Sequence, residues 1–255
     1  MRAAAWRTFA RLRDEFEERV AAWTDSVPWL GKLEEELRAA LGYDDYRVET
    51  PIVFNEALRD IDASSEPAFI LVADNPWKNE QLSRNRRYLV GQSGKLAEGW
   101  FRRELAIDFR KEVIIINKTP IHTPKTAELR KLLALGREVA GPGGSRREAL
   151  LALLDESQRW MAGMARRLHG ALGVPLMISG YGELGPRGLF KPYAEALSAE
   201  YLGAPGDLRE SVLLFRHFSM NQFAIEMKQK RDPSLPLPDE LARIGADNRR
   251  RILGW

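Results

Sequence analysis

The chain reads as an α/β protein: a three-layer α/β/α sandwich around a central four-stranded parallel sheet. Three observations predict this. Short apolar runs occur four times, at 68–73, 112–117, 175–179 and 211–216. Each is apolar at nearly every position, as a strand buried on both faces requires. Helical stretches separate them, and strands alternating with helices pair in parallel through crossovers.

The elements follow in order. Trp6, Phe9, Leu12, Phe16, Val20 and Trp23 recur at three- and four-residue steps, so 2–23 forms an amphipathic helix. A second helix covers 31–41 and ends near Gly42. Residues 43–66 are irregular, punctuated by Pro51 and Pro67, with 46–54 extended. The first strand, 68–73, must stop before Pro76, which cannot continue a ladder. Helix returns at 94–106, with Leu96, Trp100, Phe101 and Leu105 on one side. After the second strand a Pro- and Thr-rich loop, 119–124, leads into helix at 125–137. The Gly- and Pro-rich stretch 140–145 is a break, and Ser145 is a suitable N-cap for a long helix to Leu172. The third strand closes on Gly180-Tyr181-Gly182. Helix at 189–202, the fourth strand, and helices at 220–230 and 238–253 complete the chain.

At 255 residues with 44% hydrophobic content, the chain has material for one sizeable core. It is read as a single domain over 1–255, with an N-terminal helical extension (1–45) and C-terminal helices (220–255). No segment reaches the roughly 20 apolar residues of a membrane span. Residues 1–20 mix Arg and Glu and read as helix, not as a signal peptide. Cysteine is absent, which excludes disulfides, thiolate catalysis and cysteine-ligated metal centres. The three histidines, His122, His169 and His217, are far apart, so no metal site is expected, and no cofactor. The expected compartment is the cytoplasm.

Net charge is +3, but positive charge is uneven. Lys78, Arg84, Arg86, Arg87, Lys95, Arg102 and Arg103 face only Glu80 and Glu98 in the same window. Such a patch is either a solvated surface or a place for a phosphate-bearing partner.

Ligands of open α/β sheets bind at the carboxyl ends of the strands. Asp74 and Asn75 lie there after the first strand, Asn117 ends the second, and His217 and Ser219 follow the fourth. Each has an ordinary reading: Asn75 as a turn starter, Asn117 as a local cap, His217 as a core histidine. Together they form one candidate site. An amide both donates and accepts, which suits a nucleobase edge. A histidine can stabilise charge on a leaving group. Asn75 can position a water but cannot deprotonate it. This set suits a dissociative reaction such as cleavage of an N-glycosidic bond.

Four segments carry a resemblance: Ala73-Asp74-Asn75-Pro76-Trp77, Tyr88-Leu89-Val90-Gly91-Gln92-Ser93-Gly94-Lys95-Leu96, Ile116-Asn117-Lys118 and His217-Phe218-Ser219. Their order and spacing over about residues 50–225 resemble the uracil-DNA glycosylase superfamily. The layout is closest to its cysteine-free, Asn-type branches, such as the single-strand-selective monofunctional uracil glycosylases; Pro51 to Asn55 resembles their lead-in. The resemblance implies a monofunctional DNA glycosylase of base excision repair that removes a flipped deaminated base, foremost uracil. Asn75 would position the attacking water and His217 would stabilise the departing base. Asn117 would read the base edge, and Tyr88 or Leu89 would stack on it, with Tyr88 favoured for its ring. Trp77 would reject thymine, while Asp74 and Ser219 would complete the base pocket. Arg84, Arg86, Arg87, Lys95, Lys118 and Lys125 would hold phosphates. Met220 would wedge into the stack, with Phe223 as a weaker candidate. DNA would be the partner, with no membrane contact; the protein would act as a monomer, at the bacterial nucleoid.

Two alternatives stand beside this. One is a non-catalytic nucleic-acid-binding or damage-sensing protein of the same fold, its pocket occluded by Trp77 and Phe218. The other is a small-molecule hydrolase or nucleotide-binding enzyme, against which the lack of a Gly-rich phosphate loop or carboxylate cluster counts.

Overall fold

The computed structural model describes residues 1–136, 140–141 and 144–255. The described residues form six strands: β1 (Phe69–Ala73), β2 (Val113–Asn117), the two-residue pieces β3 (Ala140–Gly141) and β4 (Gly144–Ser145), β5 (Leu176–Ser179) and β6 (Val212–Phe215). β2, β1, β5 and β6 lie side by side in that order, every pair parallel, while β3 and β4 make a small antiparallel pair. The three-layer α/β/α architecture around a four-stranded parallel sheet is therefore present.

Side chains alternate between the two faces, because successive Cβ atoms of a strand point to opposite sides. Ile70, Val72, Ile114, Ile116, Leu176, Ile178, Val212 and Leu214 join one buried cluster. That cluster is completed by α1 (Ala3–Ser26), α2 (Leu30–Ala40), α5 (Leu129–Leu135), α6 (Arg146–Leu172) and α7 (Lys191–Glu200). Leu71, Ala73, Val113, Ile115, Met177, Leu213 and Phe215 face the other cluster. This second face is covered by α3 (Gln92–Leu105), α4 (Phe109–Glu112), α9 (Gln222–Lys230) and α10 (Leu237–Leu253). α8 (Gly206–Glu210) leads into β6.

The long helix α6 begins as its sequence requires. The Ser145 hydroxyl accepts from the Glu148 N–H, and the Glu148 carboxylate accepts from the Ser145 N–H, a reciprocal capping box. The helix expected at 125–137 is shorter, a 3₁₀ turn at Thr126–Glu128 followed by α5. Residue 137, and residues 142–143 of the Gly-rich break, lie outside the described residues. The Arg249-Arg250-Arg251 run lies within α10. Arg249 is buried, donating to the carbonyls of Trp255 and Val212 and pairing with Glu210.

No helix among the described residues is long and apolar enough to cross a membrane.

Candidate active site at the carboxyl edge of the sheet

β1 ends where Pro76 stops the ladder, and the chain turns across the sheet edge at Asp74 and Asn75. A cavity of about 470 Å³ opens there, within the range usual for small-molecule sites. Its wall includes Asp74, Asn75 and Trp77 after β1, Leu89, Gly91, Gln92 and Ser93 around the start of α3, Thr123 to Ala127, Glu183, His217 and Ser219. Residues from five separate segments thus meet at one edge.

Asp74 is the anionic centre. Its Oδ1 lies 2.5 Å from Nζ of Lys118, which is wholly buried and also donates to the Ser179 carbonyl. Burial lowers the Lys118 pKa, and the Asp74 charge opposes that shift. Gly180 makes room for the carboxylate. A Cβ there would lie 2.6 Å from Asp74 Oδ1, and its φ of +82° already favours glycine. The phosphate-holding role expected of Lys118 is therefore corrected: the residue after a β-branched run continues inward and meets a carboxylate.

Asn75 is held tightly. Its Nδ2 donates to the Ile121 carbonyl (3.2 Å) and to Thr123 Oγ1 (2.9 Å), while its Oδ1 accepts from Thr126 Oγ1 (2.9 Å). Both amide protons are committed, and one lone pair on Oδ1 remains. Asn75 fastens the 121–126 loop to the end of β1 and can still accept from a water.

His217 has a defined tautomer. Its Nδ1 lies 3.0 Å from the Ser219 backbone N, which can only donate, and 2.8 Å from the Ser219 hydroxyl. The neutral ring must then carry its proton on Nε2. Burial pushes the His217 pKa down, with Lys118 adding to the shift and Asp74 opposing it. A neutral ring with an N–H donor results.

Asn117 is less directly placed. It pairs in register with Ala73, which lines the cavity, and parallel neighbours share a face. The Asn117 side chain is buried and neither amide atom has a partner among the described residues. Yet Asn117 is not part of the cavity wall.

Other expectations need correcting. Tyr88 is buried, and its hydroxyl donates to the Val53 carbonyl; Leu89, one residue on, lines the cavity. Phe218 points into the core against Phe101 and Phe223, so it does not occlude the site. Phe223 packs on Trp100, Phe215 and Phe218 and cannot wedge into DNA. Met220, the wedge expected from the resemblance, is 83% exposed beside Ser219, with φ +51°. Trp77 stands against Gly91, where a Cβ would lie 2.7 Å from its ring.

The basic residues do not form one rim. Lys125 is exposed and lines the cavity. Arg84 is exposed without an ion pair among the described residues. Arg86 pairs with Glu56 and Arg87 with Asp60. Arg87 and Lys95 line a different cleft, of about 840 Å³, with Asp60, Glu98 and Arg110.

Sequence reasoning missed three contributors: Glu80, Glu183 and the Thr123–Thr126 pair. Glu183 pairs with Arg130 through both carboxylate oxygens (3.2 and 2.8 Å), which lowers its pKa. Its signal was available, since it follows the third strand through Gly180-Tyr181-Gly182. Among the described residues no group of three or more His, Cys, Asp or Glu side chains could hold a metal ion.

Comparison with known proteins gives no matching family model and no similar curated protein.

Proposed function

We propose that the chain is a monofunctional DNA glycosylase that hydrolyses the N-glycosidic bond of an everted deaminated base, with uracil the first candidate. One observation carries this reading. A carboxylate (Asp74), an amide with a spare acceptor (Asn75) and a neutral histidine N–H donor (His217) share one cavity at the carboxyl edge of a parallel sheet.

The chemistry follows from those three groups. Breaking the bond to deoxyribose leaves negative charge on the base and positive charge on the sugar. His217 Nε2–H donates to the departing base, where a preorganised donor is most effective. Asp74 accepts the proton of the attacking water, which Asn75 Oδ1 orients. The fixed carboxylate also favours the cationic sugar. Lys118 holds Asp74 in place. Lys118 Nζ is spent on Asp74 and the Ser179 carbonyl, and Lys125 is exposed at the cavity wall, so release of the base by water, without a covalent imine, fits the site. Flipping costs a few kcal/mol, least for mispaired or single-stranded bases. Met220 and Lys125 are the groups best placed to stabilise the flipped state.

The test is incubation with oligonucleotides containing uracil, hypoxanthine or xanthine, single-stranded and in each pairing, followed by alkaline cleavage at abasic sites. Product from uracil, with binding that weakens steeply as salt rises, supports the reading. Salt-sensitive binding with no base release from any lesion assigns the non-catalytic role instead.

A further inference from the structure

Resting on the reading that the cavity receives an everted base, the geometry points to Glu80 as the residue that meets the base's hydrogen-bonding edge and selects which base is held. Glu80 lies one turn past Trp77, its N–H donating to the Trp77 carbonyl at 2.8 Å. It is 4% exposed, yet it belongs to the cavity wall beside Trp77, Leu89 and Gly91. Glu80 is thus a nearly buried acidic residue in the wall of the cavity. Asn117, given the base-reading task by resemblance, is not in that wall.

The chemistry of the carboxyl suits the task. No ion pair joins it to a cation among the described residues. Arg110 acts on it from a distance but spends its guanidinium elsewhere, on the carbonyls of Tyr88 (3.2 Å) and Leu89 (2.7 Å) and on Glu98 (3.3 Å). A buried carboxylate without a salt-bridge partner is costly, so the acid keeps its proton. Burial pushes Glu80 up to about 8, against the pull of the Trp77, Leu89 and Val90 backbone N–H groups beside its carboxyl and of Arg110. At pH 7 it therefore presents an O–H donor beside a C=O acceptor. An edge that sets an N–H next to a C=O, as in uracil and hypoxanthine, is its complement. Ionised, the same group turns a negative charge toward the base carbonyl and loses its donor.

The sign of the pH effect follows. The neutral form binds, so affinity holds at pH 7 and falls as pH rises through 8. Burial, with the nearby Glu80 adding to it, pushes the Tyr88 pKa well above the usual value, and the Arg110 guanidinium lies on the same side. Across the cavity lie Asp74, Lys125, Glu183 and His217.

Calorimetric titration of the full chain with free uracil and free hypoxanthine, at pH 7 and pH 9, tests this. Wild type is compared with Glu80→Gln, which keeps a donor and an acceptor but does not titrate. Ionisation of the base and of other residues affects both proteins alike, so their difference reports Glu80. Wild type is expected to lose about tenfold more affinity than Glu80→Gln between the two pH values, the factor for one unit above a pKa of 8. Glu80→Leu, shown to be folded by its melting transition, loses binding at both. Matching pH profiles, or no base bound by wild type at either pH, overturn the assignment. The outcomes separate from those of the parent reading. Abasic product without the Glu80 signature keeps the glycosylase and removes this role; the signature without product keeps a base-binding site and removes hydrolysis.

Discussion

Asp74→Asn lowers the single-turnover rate of base release by about 10²–10⁴-fold, the usual worth of a positioned acid–base group, with little change in DNA affinity. The substitution keeps the side chain's size and its ability to accept from Lys118 Nζ, while removing the carboxylate that precedes Asn75 and whose charge acts on His217. Asn75→Ala acts differently. It frees Thr123 and Thr126 together, loosening the 121–126 loop, so its loss is shared between affinity and rate. Single-turnover rates and binding curves on the same oligonucleotide distinguish the two. An Asp74→Asn enzyme with the wild-type rate would remove Asp74 from the reaction.

Lys118→Met destabilises the fold by about 3–5 kcal/mol, the cost of leaving one member of a buried ion pair uncompensated. Lys118 is wholly buried and holds two elements, the turn after β1 through Asp74 and the end of β5 through the Ser179 carbonyl. The double variant Asp74→Asn/Lys118→Met removes both charges and recovers most of that loss. Urea unfolding of the four proteins in the cycle gives the coupling directly. Additive losses would mean that the pair does not act as a unit.

Much of the fold was legible because burial on two faces leaves a simple trace. The four apolar runs are strands within one or two residues of their expected ends, and α1, α3, α6 and α10 follow their periodic apolar positions. The helices α4 and α8 were not legible, since four or five residues carry no period. Strand order was also hidden: the placement of β5 beside β1 depends on packing between distant segments.

The site was legible in part, for reasons seen residue by residue. Asn75 and His217 stand after apolar strands that must end, so their position was forced. Tyr88 and Leu89 differ by one residue, and which faces the cavity is settled by the Tyr88 hydroxyl finding the Val53 carbonyl. Lys118 looked solvent-facing because its partner, Asp74, lies 44 residues away. Glu80 looked like a stray acid in a basic stretch, because burial without an ion pair leaves no mark on local sequence.

The most direct measurement is a crystal structure of the wild-type chain with an oligonucleotide carrying 2′-fluoro-2′-deoxyuridine, whose glycosidic bond resists cleavage. The uracil is expected everted into the cavity at the end of β1, with His217 Nε2 in hydrogen-bonding reach of it and Asp74 facing the anomeric carbon. A base left stacked in the DNA, or bound instead in the cleft between Asp60 and Arg110, would contradict it.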